Sequence, residues 1–417
     1  MKIIKKEINN IPVTFMKTKK FKSIRGVLNF KSPITKENLV KRAFLKRLLI
    51  YSTNKYKTNE ELNLKCLEIY DAYFSSTVRR EGIYINNFFS FETLEDCYTE
   101  KNNLKETIDT FCEIIFNPNV KDNAFDKESF DYAKNKIIKS YEKIKEDPRE
   151  FLSHDILKYL NQNKVYSYDI DLDILNKITE EELYDEYKNM IENSEISIYL
   201  VGNIDENDTV FDNIFNNIKS NKKYTESIYI SNDDEELREE NIVNNTKGTQ
   251  SILDVLFYTQ GLTAFESNYV MPLYSLILGG GGASRLFDSV REKNSLAYYC
   301  FSRFSKDDNI LEVITGIDKK NKDKALKLIK QELDNMKEVT KEDLSTAKTE
   351  MISTYIESQD SIASVSNAEF RRDLYNIESE KVLLDNINKV TKEDIEKVSE
   401  KIKYKFNYFL EGSDNNE

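Results

Sequence analysis

The chain has 417 residues, 39% hydrophobic and 12% aromatic, which is enough for two or three domains with cores of their own. Its 61 lysines and arginines stand against 73 aspartates and glutamates, a net charge of −12, and nucleic acid and anionic lipid, which both need positive charge, are poor general partners for it. No apolar run reaches the roughly 18 residues of a membrane helix, and the opening MKIIKKEINNIPVTF mixes polar and apolar residues too finely for a signal peptide. Cys66, Cys97, Cys112 and Cys300 form no C-x-x-C pair, so reduced thiols and a cytoplasmic location are expected.

In chain order, Ile3 to Phe30 reads as strands, and near Glu37 the pattern turns helical, with Leu39, Phe44, Leu45, Leu48 and Leu49 on one side. A second helix follows Thr58, whose spacing to Glu61 is that of a capping box. A hairpin is predicted from Phe74 to Phe91, turning near Glu81-Gly82, and helices fill most of Thr93 to Leu160. Alternating residues from Ile196 to Val201 then form a strand that runs into Gly202. The acidic stretch NDDEELREENIVNN, Asn232 to Asn245, has little to bury and reads as a linker.

Beyond it, Ile252 to Tyr258 reads as a strand and Glu266 to Leu278 as a helix. A glycine run, a shorter helix, an aromatic strand from Leu296 to Phe304 and long helices follow. The last strand is Phe406 to Leu410, ending at Gly412. The two halves close alike: Thr179 with Glu182, and Thr391 with Asp394, each cap a helix that leads into a final strand and a glycine. That correspondence predicts a duplicated α/β domain, with residues 1–228 as the first copy, 229–247 as an acidic linker and 248–417 as the second copy.

The most informative segment runs from Leu278 to Tyr298, LGGGGASRLFDSVREKNSLAY. Its four glycines, Gly279, Gly280, Gly281 and Gly282, leave backbone amides uncovered and allow another chain to approach. Ser284 is placed to cap the next helix, whose apolar face includes Leu286, Phe287 and Val290 and whose far end carries Arg291. On residue types alone, the glycine run reads as a flexible turn, Arg291 as a surface ion-pairing residue and Tyr298 as a core residue. The run lacks both G-x-x-x-x-G-K-[ST] and the last glycine of G-x-G-x-x-G, which excludes a phosphate loop. Ser284 and Cys300 have no histidine near in sequence to activate them.

The segment resembles the C-terminal half of the insulinase and mitochondrial processing peptidase family, the inverted zincins. There a G-G-G-x-x-S-R-L-F run is followed by V-R-E-K-x-x-L-A-Y, with arginine and tyrosine seven residues apart as in Arg291 and Tyr298. Weaker agreement extends over the rest of the chain, including Asp147-Pro148 before a helix and Val201-Gly-Asn203 at a strand end. The resemblance implies an α/β (α+β) fold of two homologous domains, each a mostly antiparallel sheet backed by helices, enclosing a peptide chamber together with a partner. It also implies an H-x-x-E-H helix in the first domain, in which two histidines and a distant glutamate hold zinc and the central glutamate is the general base.

Here Ala43, Lys46 and Arg47 fall on those positions, and the distant glutamate falls near Lys139-Ser140. Alanine has no donor atom, and lysine and arginine repel a cation. The chain's one histidine, His154, lies far from this helix and is expected to be structural. By resemblance the chain is then the non-catalytic subunit of a heterodimeric metallopeptidase, without a metal or other cofactor of its own. The zinc would reside in a homologous H-x-x-E-H subunit, whose site would receive Arg291 and Tyr298 in trans, with Gly279–Gly282 touching substrate peptide. Without that partner a homodimer is a further possibility. The alternative is an inert binding or scaffold protein of the same fold, used in assembling or modifying another protein, and Lys46 with Arg47 is then either a solvated face or a seat for a peptide's acidic end.

Overall fold

A computed structural model describes residues 1–99, 102–219, 221–236, 240–246, 248–282 and 284–413. The chain divides into two units, one built from residues 1–143, 161–228 and 359–371, the other from 144–160, 229–358 and 372–417.

The first unit is built on a six-stranded sheet from β1 (Lys2–Ile8), β2 (Ile11–Lys17), β3 (Ser23–Pro33), β4 (Tyr73–Glu81), β5 (Tyr84–Leu94) and β8 (Glu195–Gly202), in the order β1-β2-β8-β3-β5-β4. A two-stranded ribbon, β6 (Val120–Lys121) and β7 (Ala124–Phe125), stands apart from it. Only β2 and β8 pair in parallel. The predicted hairpin is β4 and β5, turning through Gly82, whose φ is +56° and whose added Cβ would collide with the Ile228 carbonyl. The helix Lys36–Leu48 starts at Thr35, where a reciprocal bond with Asn38 closes a capping box, and it buries Val40, Phe44, Leu45 and Leu48. These pack with Phe30, Phe89, Phe91 and Phe111 into one core on the helix side of the sheet. Strand alternation sends Arg25, Val27, Ser75, Thr77, Arg79, Phe88, Ser90 and Tyr199 to the other side. That side is covered by residues 359–371, with the Phe370 ring edge-on to Phe88 at 4.8 Å.

The second unit holds a five-stranded sheet: β9 (Glu240–Asn245), β10 (Ser251–Thr259), β11 (Ala297–Ser305), β12 (Ile310–Ile317) and β13 (Ile402–Glu411), in the order β11-β12-β10-β13-β9. Only β9 and β13 run parallel. With β1 set aside, the two sheets share one topology. In each, the closing strand (β8, β13) lies parallel to one early strand (β2, β9) and antiparallel to the next (β3, β10), and a hairpin completes the sheet (β5-β4, β12-β11). The duplication inferred from the capped ends is therefore a duplication of strand order, and the capping boxes at Thr58, Thr179 and Thr391 are all formed.

Part of the expected linker is structured: Glu240–Asn245 forms β9 against β13, with Ile242 turned inward. Upstream of it, Asn232 is buried, and its amide donates to the carbonyls of Asp308 (2.7 Å) and Asn309 (3.1 Å). Charge density marked this stretch as solvated, but backbone pairing and one buried amide hold it to the second sheet. His154 lies in the last turn of the helix Pro148–Asp155, which Asp147 caps through the amides of Arg149 and Glu150. Among the described residues, no helix is long and apolar enough to cross a membrane.

Candidate functional site

In the first unit, the positions that would carry a metal lie on the helix Lys36–Leu48. Arg47 reaches the helix Lys127–Ile144 and donates from Nη2 to the Ser140 hydroxyl at 3.3 Å. The structure thus brings together the two segments that the resemblance pairs, and the contact is guanidinium to hydroxyl. Lys46, one residue earlier, is half-buried, and burial, followed by repulsion from Arg47, pushes its ammonium below the usual lysine range. No ion-pair partner meets Lys46 among the described residues. With Ala43 supplying no donor atom, two cations and a hydroxyl occupy the position, a set that repels zinc. Nor do three histidine, cysteine, aspartate or glutamate side chains converge on any metal-sized point among the described residues.

Sequence reasoning missed the neighbouring Arg42. This residue, 1% exposed, points between Glu186, with which it forms a short ion pair, and the Ser32 hydroxyl at 3.3 Å. Its spacing of three residues from Leu45 and seven from Leu49, which puts it at the margin of the apolar stripe, was the available signal. Burial pulls its guanidinium below the ordinary arginine range, and Glu186 opposes that pull.

In the second unit, the glycine run ends the helical stretch 266–280 and leads to the helical turn Phe287–Glu292 and then to β11. A Cβ on Gly279 would lie 2.6 Å from the Ser302 backbone nitrogen, so this glycine is required where the stretch touches β11. A Cβ on Gly281 would meet the Glu350 carboxylate at 2.5 Å, while Gly282 faces open space. Close packing within the chain therefore accounts for part of the run. Ser284 does not cap its helix. It is buried and its hydroxyl has no hydrogen-bond partner among the described residues; its carbonyl, not its side chain, receives the Asp288 amide.

Arg291 stands at the end of the helical turn with its guanidinium 4.7 Å from the Phe287 ring centre and 3.7 Å from the Glu292 carboxylate. Its side chain is 45% exposed. Tyr298 sits in a bulge of β11: Ala297 pairs with Ile317 and Tyr299 with Gly316, which leaves Tyr298 opposite no residue. It is 66% exposed, on the outermost strand of the sheet. Tyr299 is held in place, with the Arg149 guanidinium 4.2 Å above its ring and Gly316 making room for its edge. Sequence alternation placed the two tyrosines on opposite faces. The bulge adds a second reason for their different surroundings, since it turns Tyr298 out of the ladder.

Comparison with known proteins agrees with this geometry. Residues 177–351 match the Peptidase M16 inactive domain. A probable inactive metalloprotease of Bacillus subtilis, YmfF, is 25% identical over 421 residues, covering 99% of this chain and 98% of that protein. Among solved structures, a conserved protein from Enterococcus faecalis V583 superposes with a TM-score of 0.88 at 24% identity over 100% of both chains. A peptidase M16 inactive domain from Pseudomonas fluorescens gives 0.81 at 16% identity, over 100% of this chain and 99% of that one. The insulinase-type resemblance carried by Leu278 to Tyr298 and the cations where ligands would stand lead to the same place as these matches: the chain is similar over residues 177–351 to the inactive domain of M16 peptidases and over nearly its whole length to a probable inactive metalloprotease.

Proposed function

We propose that this chain is the zinc-less subunit of a two-chain M16 peptidase, and that it gives Arg291 and Tyr298 to the active site of a homologous H-x-x-E-H subunit. The observation that carries the reading is the contrast at the start of β11, where Tyr299 is locked by Arg149 while Tyr298 is turned out by a bulge on an edge strand. A phenol so presented can donate to a developing oxyanion, and a half-exposed guanidinium, paired only with its chain neighbour Glu292 among the described residues, can hold a substrate carbonyl or carboxylate. The open edge of β11 offers unpaired backbone groups to an extended peptide, with the glycine run beside it. The partner's metal would supply the activated water. We place the assembly in the cytoplasm, where the chain's four unpaired thiols stay reduced.

The test is peptide cleavage by the partner alone, by this chain alone and by the mixture. Activity is expected to rise strongly only in the mixture. Arg291→Ala or Tyr298→Phe should then lower turnover about 100-fold, as loss of an oxyanion donor does, while co-elution of the two chains is unchanged. Full turnover in both variants would remove the in-trans role. A partner indifferent to mixing would point to the inert binding or scaffold protein instead.

A further inference from the structure

The outer side of the first unit's sheet, away from its core, holds a cavity of about 180 Å3. Its floor is Arg25 and Val27 of β3, Ser75, Thr77 and Arg79 of β4, Phe88 and Ser90 of β5, and Tyr199 of β8, and Ala363, Ser366, Asn367 and Phe370 roof it. Three features set it apart from a packing defect.

The first is charge. Two arginines line the cavity and no carboxylate does. Glu92 and Glu81, which stand 3.6 Å from Arg25 and Arg79, are not among the lining residues. The second is an open donor. Arg25 spends Nη2 on the Ser90 hydroxyl at 3.0 Å, yet its buried Nε has no hydrogen-bond partner among the described residues. A buried N–H left unmade is costly unless something fills the position. The third is placement. The Arg79 guanidinium lies against the Phe88 and Phe370 rings, 4.4 and 5.6 Å from their centres, while its Nη1 donates to Asn367 at 2.9 Å. Cation–ring contact and hydrogen bonding fix that guanidinium before any ligand arrives. Ser75 and Ser90 share a hydrogen bond of 2.8 Å on the floor, so the hydroxyls too are ordered.

We propose that this cavity binds a carboxylate attached to a small apolar body, about the size of one amino-acid residue, with the anion between Arg25 and Arg79 and the apolar part against Val27, Phe88 and Phe370. A peptide's C-terminal residue and a free acylated amino acid share this chemistry. The volume is well below that of a pocket for a drug-sized ligand, which restricts the ligand to a terminal residue or a comparably small acid. The site lies wholly in the first unit and is independent of Arg291 and Tyr298.

Calorimetric titration of the full chain tests it with three probes: acetyl-Ala-Ala-Ala-Phe with a free carboxylate, the same peptide as its C-terminal amide, and N-acetylphenylalanine. The free acid peptide should bind about 10- to 100-fold more tightly than its amide. N-acetylphenylalanine matching the peptide assigns the site to small acids, and a clear preference for the peptide assigns it to chain ends. Arg25→Gln should remove the difference between acid and amide. Ala363→Phe, at an exposed position on the rim, should block binding while leaving the melting temperature near that of the parent. Equal binding of acid and amide, no binding of either acid in the millimolar range, or unimpaired binding in a folded Ala363→Phe variant would each overturn the assignment.

Discussion

Glu186→Ala should destabilise the chain by about 3–5 kcal/mol, the usual result of removing one member of a buried ion pair. Arg42 is almost fully enclosed, and its other partner is a single serine hydroxyl at 3.3 Å, with Nη1 already unsatisfied. Without Glu186 the guanidinium keeps its charge, since arginine does not deprotonate in proteins, and nothing replaces the water it gave up. For a unit of this size each kcal/mol moves the melting temperature by roughly 2–4 °C, so a fall of about 10 °C is expected. The double variant Arg42→Met with Glu186→Leu should recover most of that loss, because it removes both desolvated charges and keeps the volume. Thermal melts of the two variants beside the parent decide the matter. A single variant that melts with the parent would show that water already reaches this pair.

Asp254 sets the second large effect, on pH dependence. It lies on the central strand β10, wholly buried, and neither carboxylate oxygen has a hydrogen-bond partner among the described residues. Burial raises its pKa well above the ordinary aspartate range, and the neighbouring negative Glu312 raises it further, against a smaller opposing pull from Arg303. The folded chain therefore keeps this proton to a higher pH than the unfolded chain, which releases it near pH 4. Above that point the unfolded state binds fewer protons, so stability contributed by this group falls as pH rises, by at most about 1.4 kcal/mol per pH unit, until the folded group ionises as well. Melts between pH 5 and pH 8 should decline steeply for the parent and less steeply for Asp254→Asn, which cannot ionise. At pH 8 the variant should equal or exceed the parent. Parallel curves would mean that Asp254 is ionised in the fold and paired in some other way.

The fold was largely legible in the sequence because its signals are local. Thr58, Thr179 and Thr391 each sit three residues before an acid and each forms a capping box, and Gly82 turns a hairpin that alternation had drawn on both sides. The poor fit of the first unit's helix to a metal was legible because it depends on residue type alone, with Ala43, Lys46 and Arg47 standing where the resemblance needs donors. Contacts across the sheets were not legible. Glu186 lies 144 residues from Arg42, and no local pattern joins them. No local pattern marks Arg25 or Arg79; only the folding of residues 359–371 over that side of the sheet makes them walls of a cavity. The acidic stretch misled because charge density reports solvation and says nothing of backbone pairing, which is what holds Glu240–Asn245.

The shared strand order gives this protein an internal control. β4 in the first sheet occupies the place of β11 in the second, and each carries an exposed tyrosine in its first two residues: Tyr73, 62% exposed, and Tyr298, 66% exposed. The two phenols are matched in element and in accessibility, but Tyr73 pairs with Glu92 in a regular ladder, while Tyr298 is bulged and follows the glycine run and Arg291. Tyr73→Phe is the natural counterpart to Tyr298→Phe, for it subtracts the same hydroxyl from the matching edge strand. Whatever Tyr298 does simply as a phenol at the start of an edge strand, Tyr73 does too, and what remains after that comparison belongs to the second repeat alone.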